Sequence, residues 1–267
     1  MSTGDTRANQ YSGGPPAVCI RGLWKRFGPM VAVQGIDLDV PVGSFFGLLG
    51  PNGAGKTTTL SMVTGLARPD AGRIEVAGHD VWADPLATKR RIGVLPEGLR
   101  LFDRLSGREL LEYVGRLRRL PEDEVVARTG ELLEVLDLTA ASATLVVDYS
   151  TGMRKKIALA AALLHNPQLL LLDEPFEGVD PVSAHTIREV LGRYTRSGST
   201  VVFSSHVMEL VERLCDWVAI MDHGQVRAYG RLDDVRGGRP LEQAFLAVVG
   251  ARDEAGEGLR WLGSSSG

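Results

Sequence analysis

Short apolar runs alternate with amphipathic segments along this chain, and the two patterns predict strands and helices. Leu169 to Asp173 and Thr200 to Ser204 are continuous apolar or β-branched runs, typical of central strands in a parallel sheet covered on both faces. Apolar residues recur at helical spacing in three segments, 56–66, 181–194 and 207–214. Strands and helices in this alternation predict a layered α/β domain.

Four further segments have strand patterns. Ala17 to Gly22 alternates apolar and polar residues, and Arg73 to Val76 follows a turn. Val40 to Leu49 is predicted as one strand that passes through the turn at Pro41-Val42-Gly43. Asp216 to Tyr229 is predicted to form a hairpin around His223-Gly224.

The middle of the chain and its two ends have different patterns. Between Ser106 and Leu164 the apolar period becomes 3.6 residues, which predicts a mainly helical insertion. Leu241 to Val249 is a candidate short amphipathic helix, and the polar, glycine-rich residues 250–267 predict disorder. We therefore expect a tail at 1–16, a domain at 17–232 with a helical part at about 99–164, and a short helix with a flexible tail at 233–267.

Composition limits the classes of function. The chain has 267 residues with 33 acidic and 30 basic side chains, a formal charge of −3, so we expect no nucleic-acid partner. Its longest apolar run, Ile157 to Leu164, is far shorter than the ~20 residues that span a bilayer. The N-terminal segment lacks the pattern of a secretory signal. Cys19 and Cys215 are expected in the core of a protein from a reducing compartment, and a disulfide between them is the less favoured alternative.

A phosphate-binding motif lies between a predicted strand and a predicted helix. Gly50 to Thr57 matches G-x-x-x-x-G-K-[ST], in which glycines let several backbone N–H groups converge on phosphate oxygens. Lys56 is expected to pair with the outer phosphates of ATP, Thr57 to bind Mg²⁺ and Thr58 to reach an inner phosphate. The alternative is a glycine turn with an incidental lysine. The candidate ATP-binding residues of this segment are Gly50, Pro51, Asn52, Gly53, Ala54, Gly55, Lys56, Thr57 and Thr58.

Two adjacent acids end the apolar run at 169–173. Asp173 is expected to hold Mg²⁺, through water, and Glu174 to orient and deprotonate an attacking water. Two acids at a strand end also fit a solvated turn. The phosphate-binding motif favours the catalytic interpretation, because a nucleotide site needs carboxylates on a second strand.

These motifs, in this order and separation, resemble the ATP-binding cassette (ABC) family of transporter ATPases over roughly Ala17 to Leu232. The resemblance implies a P-loop NTPase core, a mainly parallel sheet with helices on both faces. It also implies a small antiparallel β subdomain, a helical signature subdomain, and ATP and Mg²⁺ as cofactors.

Tyr149-Ser150-Thr151-Gly152-Met153 stands where the family has L-S-G-G-Q. Thr151 and Met153 depart from that pattern in a way that resembles a branch of prokaryotic exporters. Ser150 is a good N-cap for the helix that follows, and by itself could be no more than that. The resemblance implies that Ser150, Thr151, Gly152 and Met153 close over ATP bound to the opposite subunit of a head-to-tail dimer.

Three more positions match family motifs. The resemblance implies that Asp180 links the two ATP sites of the dimer, that His206 contacts the γ-phosphate as a catalytic residue beside Glu174 and Lys56, and that Phe27 stacks on adenine. Taken alone, Asp180 is a helix start, His206 a structural or solvated histidine, and Phe27 a core residue. Tyr11 and Trp24 are not candidates for the adenine contact.

Glu97 is the clearest departure, because most family members have glutamine there. The resemblance implies a Mg²⁺ ligand that couples the site to the transport partner; the alternative is an exposed surface acid. The stretch from Glu97 to about Leu120 is expected to dock the partner through the apolar residues Leu99, Leu101 and Phe102. Burial of these three in the helical insertion is equally compatible with the sequence.

The expected function is ATP hydrolysis that drives a membrane transporter, with export favoured over import. The resemblance implies a homodimer or a pair with a second ABC ATPase, bound to separately encoded integral-membrane permease subunits at the cytoplasmic face of the cell membrane. Cargo specificity belongs to the permease, so no residue here reports it. The alternatives are a soluble ABC ATPase acting on ribosomes or nucleic acid, and a small-molecule P-loop kinase.

Overall fold

The computed structural model describes residues 15–98 and 100–250, and over these residues it contains ten strands and nine α-helices. Two short 3₁₀ turns, Thr139–Ala141 and Val146–Asp148, precede the fifth helix. The strands are β1 Val18–Phe27, β2 Met30–Val40, β3 Phe45–Leu49, β4 Ala71–Val76, β5 His79–Asp80, β6 Ile92–Leu95, β7 Leu169–Asp173, β8 Thr200–Ser205, β9 Trp217–Asp222 and β10 Gln225–Arg231. The helices are α1 Lys56–Val63, α2 Pro85–Arg91, α3 Gly107–Leu117, α4 Glu122–Val135, α5 Thr151–Leu163, α6 Pro181–Arg196, α7 Met208–Leu214, α8 Leu232–Arg236 and α9 Leu241–Val249.

A six-stranded sheet with the order β10-β9-β3-β8-β7-β6 forms the centre of the molecule. Five of its strands are parallel, and β10 pairs antiparallel with β9 at one edge. Alternate residues of β7 belong to different hydrophobic clusters, Leu170 and Leu172 on one face and Leu169 and Leu171 on the other. Both faces are therefore covered, which confirms the α/β fold predicted from the continuous apolar runs.

A second sheet, antiparallel with the order β2-β1-β4-β5, covers one face of the first. The prediction of one strand from Val40 to Leu49 is wrong, because Val40 ends β2 in this sheet while Phe45 begins β3 in the other. Pro41 lacks an N–H donor, and Gly43 adopts a φ of +72° that reverses the chain. The small antiparallel β subdomain implied by the family resemblance is present.

The segment between Ser106 and Leu164 is helical, as predicted. α3 begins with a capping box in which Ser106 and Glu109 satisfy each other's backbone N–H groups. Apolar residues of α3, α4 and α5 then pack on one another, among them Leu110, Leu133 and Ile157.

Several boundaries differ from the sequence-based expectations. β1 continues to Phe27, α1 ends at Val63 before Gly65 at φ +73°, and α7 begins at Met208. No element was predicted for most of β2, or for β5, α2 and β6. The last three have seven residues or fewer. The hairpin of β9 and β10 and the helix α9 are confirmed.

Other expectations concern the cysteines and the ends of the chain. Both cysteines are free thiols, and Cys215 is buried in the core as predicted. The expectation of a core position is wrong for Cys19, which is only half-buried. Within the described residues, no helix is both long and apolar enough to cross a bilayer. The expectations for the tails at 1–14 and 251–267, and those for Tyr11 and Leu99, lie outside the described residues.

Candidate functional site

The phosphate-binding segment forms a loop between the end of β3 and the start of α1. Gly55 caps α1 with a φ of +100°, and a Cβ there would lie 2.4 Å from the carbonyl oxygen of Ala32 on β2. A Cβ on Gly50 would lie equally close, 2.4 Å, to the carbonyl oxygen of Met221 on β9. Both positions therefore require glycine, because the loop is pressed between the small sheet and the hairpin.

Lys56, the first residue of α1, is buried under this loop. Its Nζ donates hydrogen bonds to the carbonyl oxygens of Gly50 at 2.7 Å and Pro51 at 3.2 Å, and lies 3.9 Å from Oε1 of Glu174. Burial lowers the pKa of Lys56, and the nearby carboxylates of Glu174, Asp173 and Glu97 partly oppose that effect. The ammonium is thus held at the loop by groups that phosphate oxygens can replace.

Asp173 and Glu174 lie at the carboxyl end of β7, next to the end of β8. The parallel register pairs Asp173 with Ser204, whose hydroxyl donates a short hydrogen bond to Oδ1 of Asp173. The same hydroxyl oxygen accepts the Glu174 backbone N–H at 3.0 Å. Ser204 therefore fixes both acids, a role that its sequence context does not indicate. The strand register supplies that role, and only the sheet order reveals it.

Glu174 is the centre of the arrangement. Its Oε1 lies 3.0 Å from Nδ1 of His206, so the predicted Lys56, Glu174 and His206 meet at one carboxylate. Burial raises the pKa of Glu174, while His206 and then Lys56 oppose that rise. A carboxylate with a raised pKa is a stronger base than an ordinary one, as proton abstraction from water requires.

Thr57 and Glu97 form a second polar pair beside Lys56. The Thr57 hydroxyl donates to Oε2 of Glu97 at 3.1 Å, and Glu97 is exposed at the end of β6. No group of three or more His, Cys, Asp or Glu side chains with metal-site geometry occurs among residues 15–98 and 100–250. Mg²⁺ in nucleotide sites needs few protein ligands, because it keeps waters and binds phosphate oxygens. Thr57, Glu97 and Asp173 offer hydroxyl and carboxylate oxygens, which are the type of ligand atom that Mg²⁺ prefers.

The segment Ser150 to Met153, here called the signature segment, lies in a different group of contacts. Ser150 caps α5 by accepting the Met153 N–H at 3.3 Å. A Cβ on Gly152 would lie 2.5 Å from Oγ of Ser183 and 2.6 Å from Oδ2 of Asp180. Thr151 is exposed. The signature segment therefore packs closely against the start of α6.

Asp180 caps α6, as the Asp-Pro sequence predicts. Its Oδ1 accepts the backbone N–H groups of Val182 at 3.0 Å and Ser183 at 2.9 Å, and these bonds lower the pKa of its carboxyl. The contacts of Asp180 are thus with α6 and Gly152. Its expected role in linking two ATP sites stays a prediction.

Phe27 lies at the end of β1, outside the core. Its side chain is 49% exposed, and Nζ of Lys25 lies 5.3 Å from the ring centroid. The alternative of a core residue is therefore wrong. An exposed ring is available for stacking on adenine, which stays a prediction.

The stretch from Glu97 to Leu120 divides between exposed and buried residues. Leu101 packs against the main core, whereas Phe102 is 54% exposed and contacts the edge of Tyr113 with ring centroids 5.1 Å apart. Arg100, Arg104 and Arg108 are exposed in the same stretch. The exposed part of this stretch therefore contains an aromatic pair together with charged residues of both signs, among them Asp103.

Lys155 is a cation near the site that the sequence analysis did not single out. From α5, its Nζ donates to the backbone carbonyl oxygen of Glu174 at 2.9 Å. Burial lowers the pKa of Lys155, and the carboxylates of Glu177, Glu174, Asp173 and Glu97 oppose that effect. The scarcity of lysine, five in the chain, is the only sequence signal that could have drawn attention to it.

Comparison with known proteins identifies relatives over most of the chain. The family model described as ABC transporter matches residues 33–177. The linearmycin resistance ATP-binding protein LnrL of Bacillus subtilis is 39% identical over 211 residues, which cover 79% of this chain and 68% of that protein. The Nod factor export ATP-binding protein I of Ralstonia nicotianae is 38% identical over 219 residues, which cover 82% of this chain and 68% of that protein.

A solved structure agrees with the fold. The structure of an ATP-binding subunit of an ABC transporter superposes with a TM-score of 0.81 at 29% identity, covering 87% of this chain and 99% of that one. The family model spans the phosphate-binding loop and the acids at the end of β7.

Proposed function

Because this chain belongs to the ABC transporter family of ATP-binding proteins, we propose that it binds and hydrolyses ATP to drive a membrane transporter, in the direction of export. The observation that carries the proposal is the position of Glu174. Its carboxylate lies between a buried lysine of the phosphate-binding loop and a histidine at the end of the next strand. In this role Glu174 accepts a proton from the water that attacks the γ-phosphate.

The loop and Lys56 hold the phosphates of ATP. Backbone N–H groups of Gly53 to Thr58 and the N-terminal end of α1 favour negative charge. Lys56 exchanges its bonds to the Gly50 and Pro51 carbonyl oxygens for the outer phosphates, and Thr58 contacts an inner one. The exchange needs no new buried charge, because Lys56 is already buried.

Thr57, Asp173 and Glu97 would hold Mg²⁺, with Asp173 acting through water. When bound, the ion neutralises charge that develops on the phosphate oxygens. Ser204 keeps Asp173 oriented by donating to one carboxylate oxygen. His206, hydrogen-bonded to Glu174, contacts the γ-phosphate and so aligns it with the base.

Two copies pair head to tail when ATP is bound. In this pairing Phe27 stacks on the adenine of its own chain, and the signature segment of one copy contacts the ATP held by the other. The support within one chain is that the signature segment contacts the start of α6, while Lys56 of the phosphate-binding loop lies near Glu174 after β7. Asp180, which touches Gly152, is then placed to link the two sites.

Integral-membrane permease subunits are the proposed partner, with this chain bound peripherally at the cytoplasmic face of the membrane. The proposed docking surface contains Phe102 and Tyr113 in the stretch after Glu97. Export is favoured because relatives have names that refer to linearmycin resistance and Nod factor export. The compounds in those two names differ, in keeping with a cargo determined by the permease.

Substitution Glu174→Gln tests the chemistry. We expect it to slow hydrolysis by about 10²- to 10⁴-fold, the usual contribution of a general base, and to leave ATP binding unchanged. Turnover and equilibrium binding of ATP by the full chain are the measurements. Glu131→Gln, an exposed acid on α4, is the matched control and should keep the wild-type rate. Turnover of the Glu174→Gln variant at the wild-type rate would remove Glu174 from the role of base.

Two further measurements separate the alternatives. Hydrolysis of ATP without any acceptor molecule distinguishes an ATPase from a small-molecule kinase. Co-purification with an integral-membrane protein distinguishes a transporter subunit from an ABC ATPase that acts on ribosomes or nucleic acid. A preparation that associates with ribosomes instead of membranes would overturn the transport proposal.

A further inference from the structure

We infer that Lys155 is a positioning residue for hydrolysis, which fixes the main chain of Glu174 from the signature helix α5. The inference rests on the proposed function, because it gives Glu174 the role of base. It starts from the hydrogen bond that Nζ of Lys155 donates to the Glu174 carbonyl oxygen at 2.9 Å.

Glu174 needs support because its backbone is in the left-handed region. Its φ of +44° is unfavourable for a residue with a side chain. This conformation determines where the carboxylate points at the end of β7. Surrounding contacts must therefore hold the residue against relaxation to an ordinary φ.

The peptide groups on both sides of the Glu174 Cα are tied by side chains. Its N–H donates to Oγ of Ser204 at 3.0 Å, and its carbonyl oxygen accepts from Lys155. Ser204 belongs to β8 and Lys155 to α5, so two separate elements fix the orientation of one residue. Ser204 also contacts Asp173, whereas Lys155 donates to Glu174.

The protein is expected to fold without the Lys155 hydrogen bond. The Glu174 carbonyl oxygen also accepts the Glu177 N–H at 3.3 Å, so removal of Lys155 leaves that oxygen with a donor. A lost bond to a partnered group costs much less stability than an orphaned buried one. The expected effect of losing Lys155 is a displaced carboxylate in a folded protein.

Charge is part of the contribution. The carboxylates of Glu177, Glu174, Asp173 and Glu97 all interact with Lys155, and Lys56 is the other ammonium among these acids. A neutral donor at position 155 would remove a positive charge and so increase the repulsion among these carboxylates. Arginine keeps both the charge and the donors, and is the appropriate conservative substitution.

The experiment compares Lys155→Met and Lys155→Arg in the full chain by turnover, ATP affinity and thermal unfolding. We expect Lys155→Met to lower kcat by roughly ten- to a hundredfold, the scale of a misplaced catalytic group, with KM and ATP affinity within about twofold. Lys155→Arg should retain kcat within about threefold of wild type. Lowered kcat with unchanged binding is a split that a merely structural role would not produce.

Lys156→Met is the matched control. Lys156 is the next residue of α5, is more deeply buried, and donates to the Asp137 carbonyl oxygen at 3.1 Å, away from Glu174. Its loss should lower thermal stability and leave kcat of the folded protein within about twofold of wild type. Similar kcat values for the two Met variants would mean that the position in the helix, and not the Glu174 contact, matters.

A double-mutant comparison tests whether Lys155 acts through Glu174. In a Glu174→Gln background, Lys155→Met should change the residual single-turnover rate by less than about twofold. Wild-type kcat in Lys155→Met, or equal losses in the two Lys155 variants, would overturn the inference. The proposed function fails separately, if Glu174→Gln hydrolyses ATP at the wild-type rate.

Discussion

At the scale of the residue, the candidate site is centred on one carboxylate, that of Glu174. Lys56 and His206 approach the same Oε1 of Glu174 from α1 and from the end of β8. Burial raises the pKa of Glu174 and lowers that of Lys56, and each shift is opposed by its neighbours of opposite charge. For the proposed function, the site thus offers a carboxylate of increased basicity and a buried ammonium.

Glu97 yields a prediction at this scale. Its carboxylate lies 3.1 Å from the Thr57 hydroxyl, so Glu97→Gln removes a negative charge next to the proposed Mg²⁺ position. We expect the Mg²⁺ concentration for half-maximal hydrolysis to rise roughly three- to tenfold, because attraction to a divalent ion weakens. Titration of the ATPase rate with Mg²⁺ measures this.

Glu131→Gln on α4 is the control for that titration, since Glu131 is an exposed acid on the helical insertion. A Glu97→Gln curve that overlays the wild-type curve would show that the charge has no special role. In that case Glu97 is an exposed surface acid that takes no part in Mg²⁺ binding.

At the scale of the element, strand ends and helix starts carry the chemistry. β3 leads into the loop before α1, β7 ends in the two acids, and β8 ends next to His206. Because these strands are neighbours in one parallel sheet, their carboxyl ends meet at the same edge. α5 joins this edge through the bond of Lys155 to Glu174.

β6, which precedes Glu97, is held to the end of α5 by His165. Nε2 of His165 lies 2.9 Å from the Ile92 carbonyl oxygen, and its buried Nδ1 has no hydrogen-bond partner among the described residues. Burial, and then the nearby charge of Arg118, lowers its pKa from 6.5 to about 4.

The pKa of His165 leads to a prediction about acid stability. A histidine with a depressed folded pKa is neutral in the fold, so the unfolded chain binds more protons below pH 6.5. The free energy of unfolding should therefore fall as the pH drops from 6.5 towards 4. His165→Gln, which keeps a donor for Ile92, should lose roughly 1–2 kcal/mol less than wild type between pH 7 and 5, after allowance for partial solvent screening. Denaturant unfolding at the two pH values measures this, and equal losses would contradict it.

At the scale of the whole molecule, the contacts fall into two groups. Lys56, Glu174 and His206 form one group, while the signature segment contacts Asp180 and Ser183 at the start of α6. One chain therefore offers a phosphate site and a separate helix start with an exposed Ser150. The proposed head-to-tail pairing would bring the helix start of each copy to the phosphate site of the other.

That pairing is tested by size in solution. In the slowly hydrolysing Glu174→Gln background, we expect MgATP to convert the 28.8 kDa chain into a dimer in analytical ultracentrifugation. Adding Ser150→Asp should prevent this, because Asp still caps α5 but places a negative charge where the other copy's phosphate would lie. Ser150→Asn, a neutral cap, is the control and should still dimerise. Dimers of the Ser150→Asp protein at the same ATP concentration would contradict the pairing.

Much of the fold was determined by local sequence patterns. The runs at 169–173 and 200–204 are apolar throughout because both faces of these strands are covered, and such runs are evident without coordinates. The loop at 50–57 is equally evident, because its glycines, lysine and threonine stand at a short fixed spacing in the sequence. Short elements such as β6 were not predicted, because four residues give too little periodicity.

The type of domain, the phosphate-binding loop, the acid pair and the family resemblance were evident from the residues alone, since each depends on neighbouring residues or on fixed spacing. The folded chain was needed to see that Val40 and Phe45 belong to different sheets, that Ser204 binds Asp173, and that Lys155 binds the Glu174 main chain. The partners in those two bonds are 31 and 19 positions apart. Such contacts follow from strand order and helix packing, which local patterns do not encode.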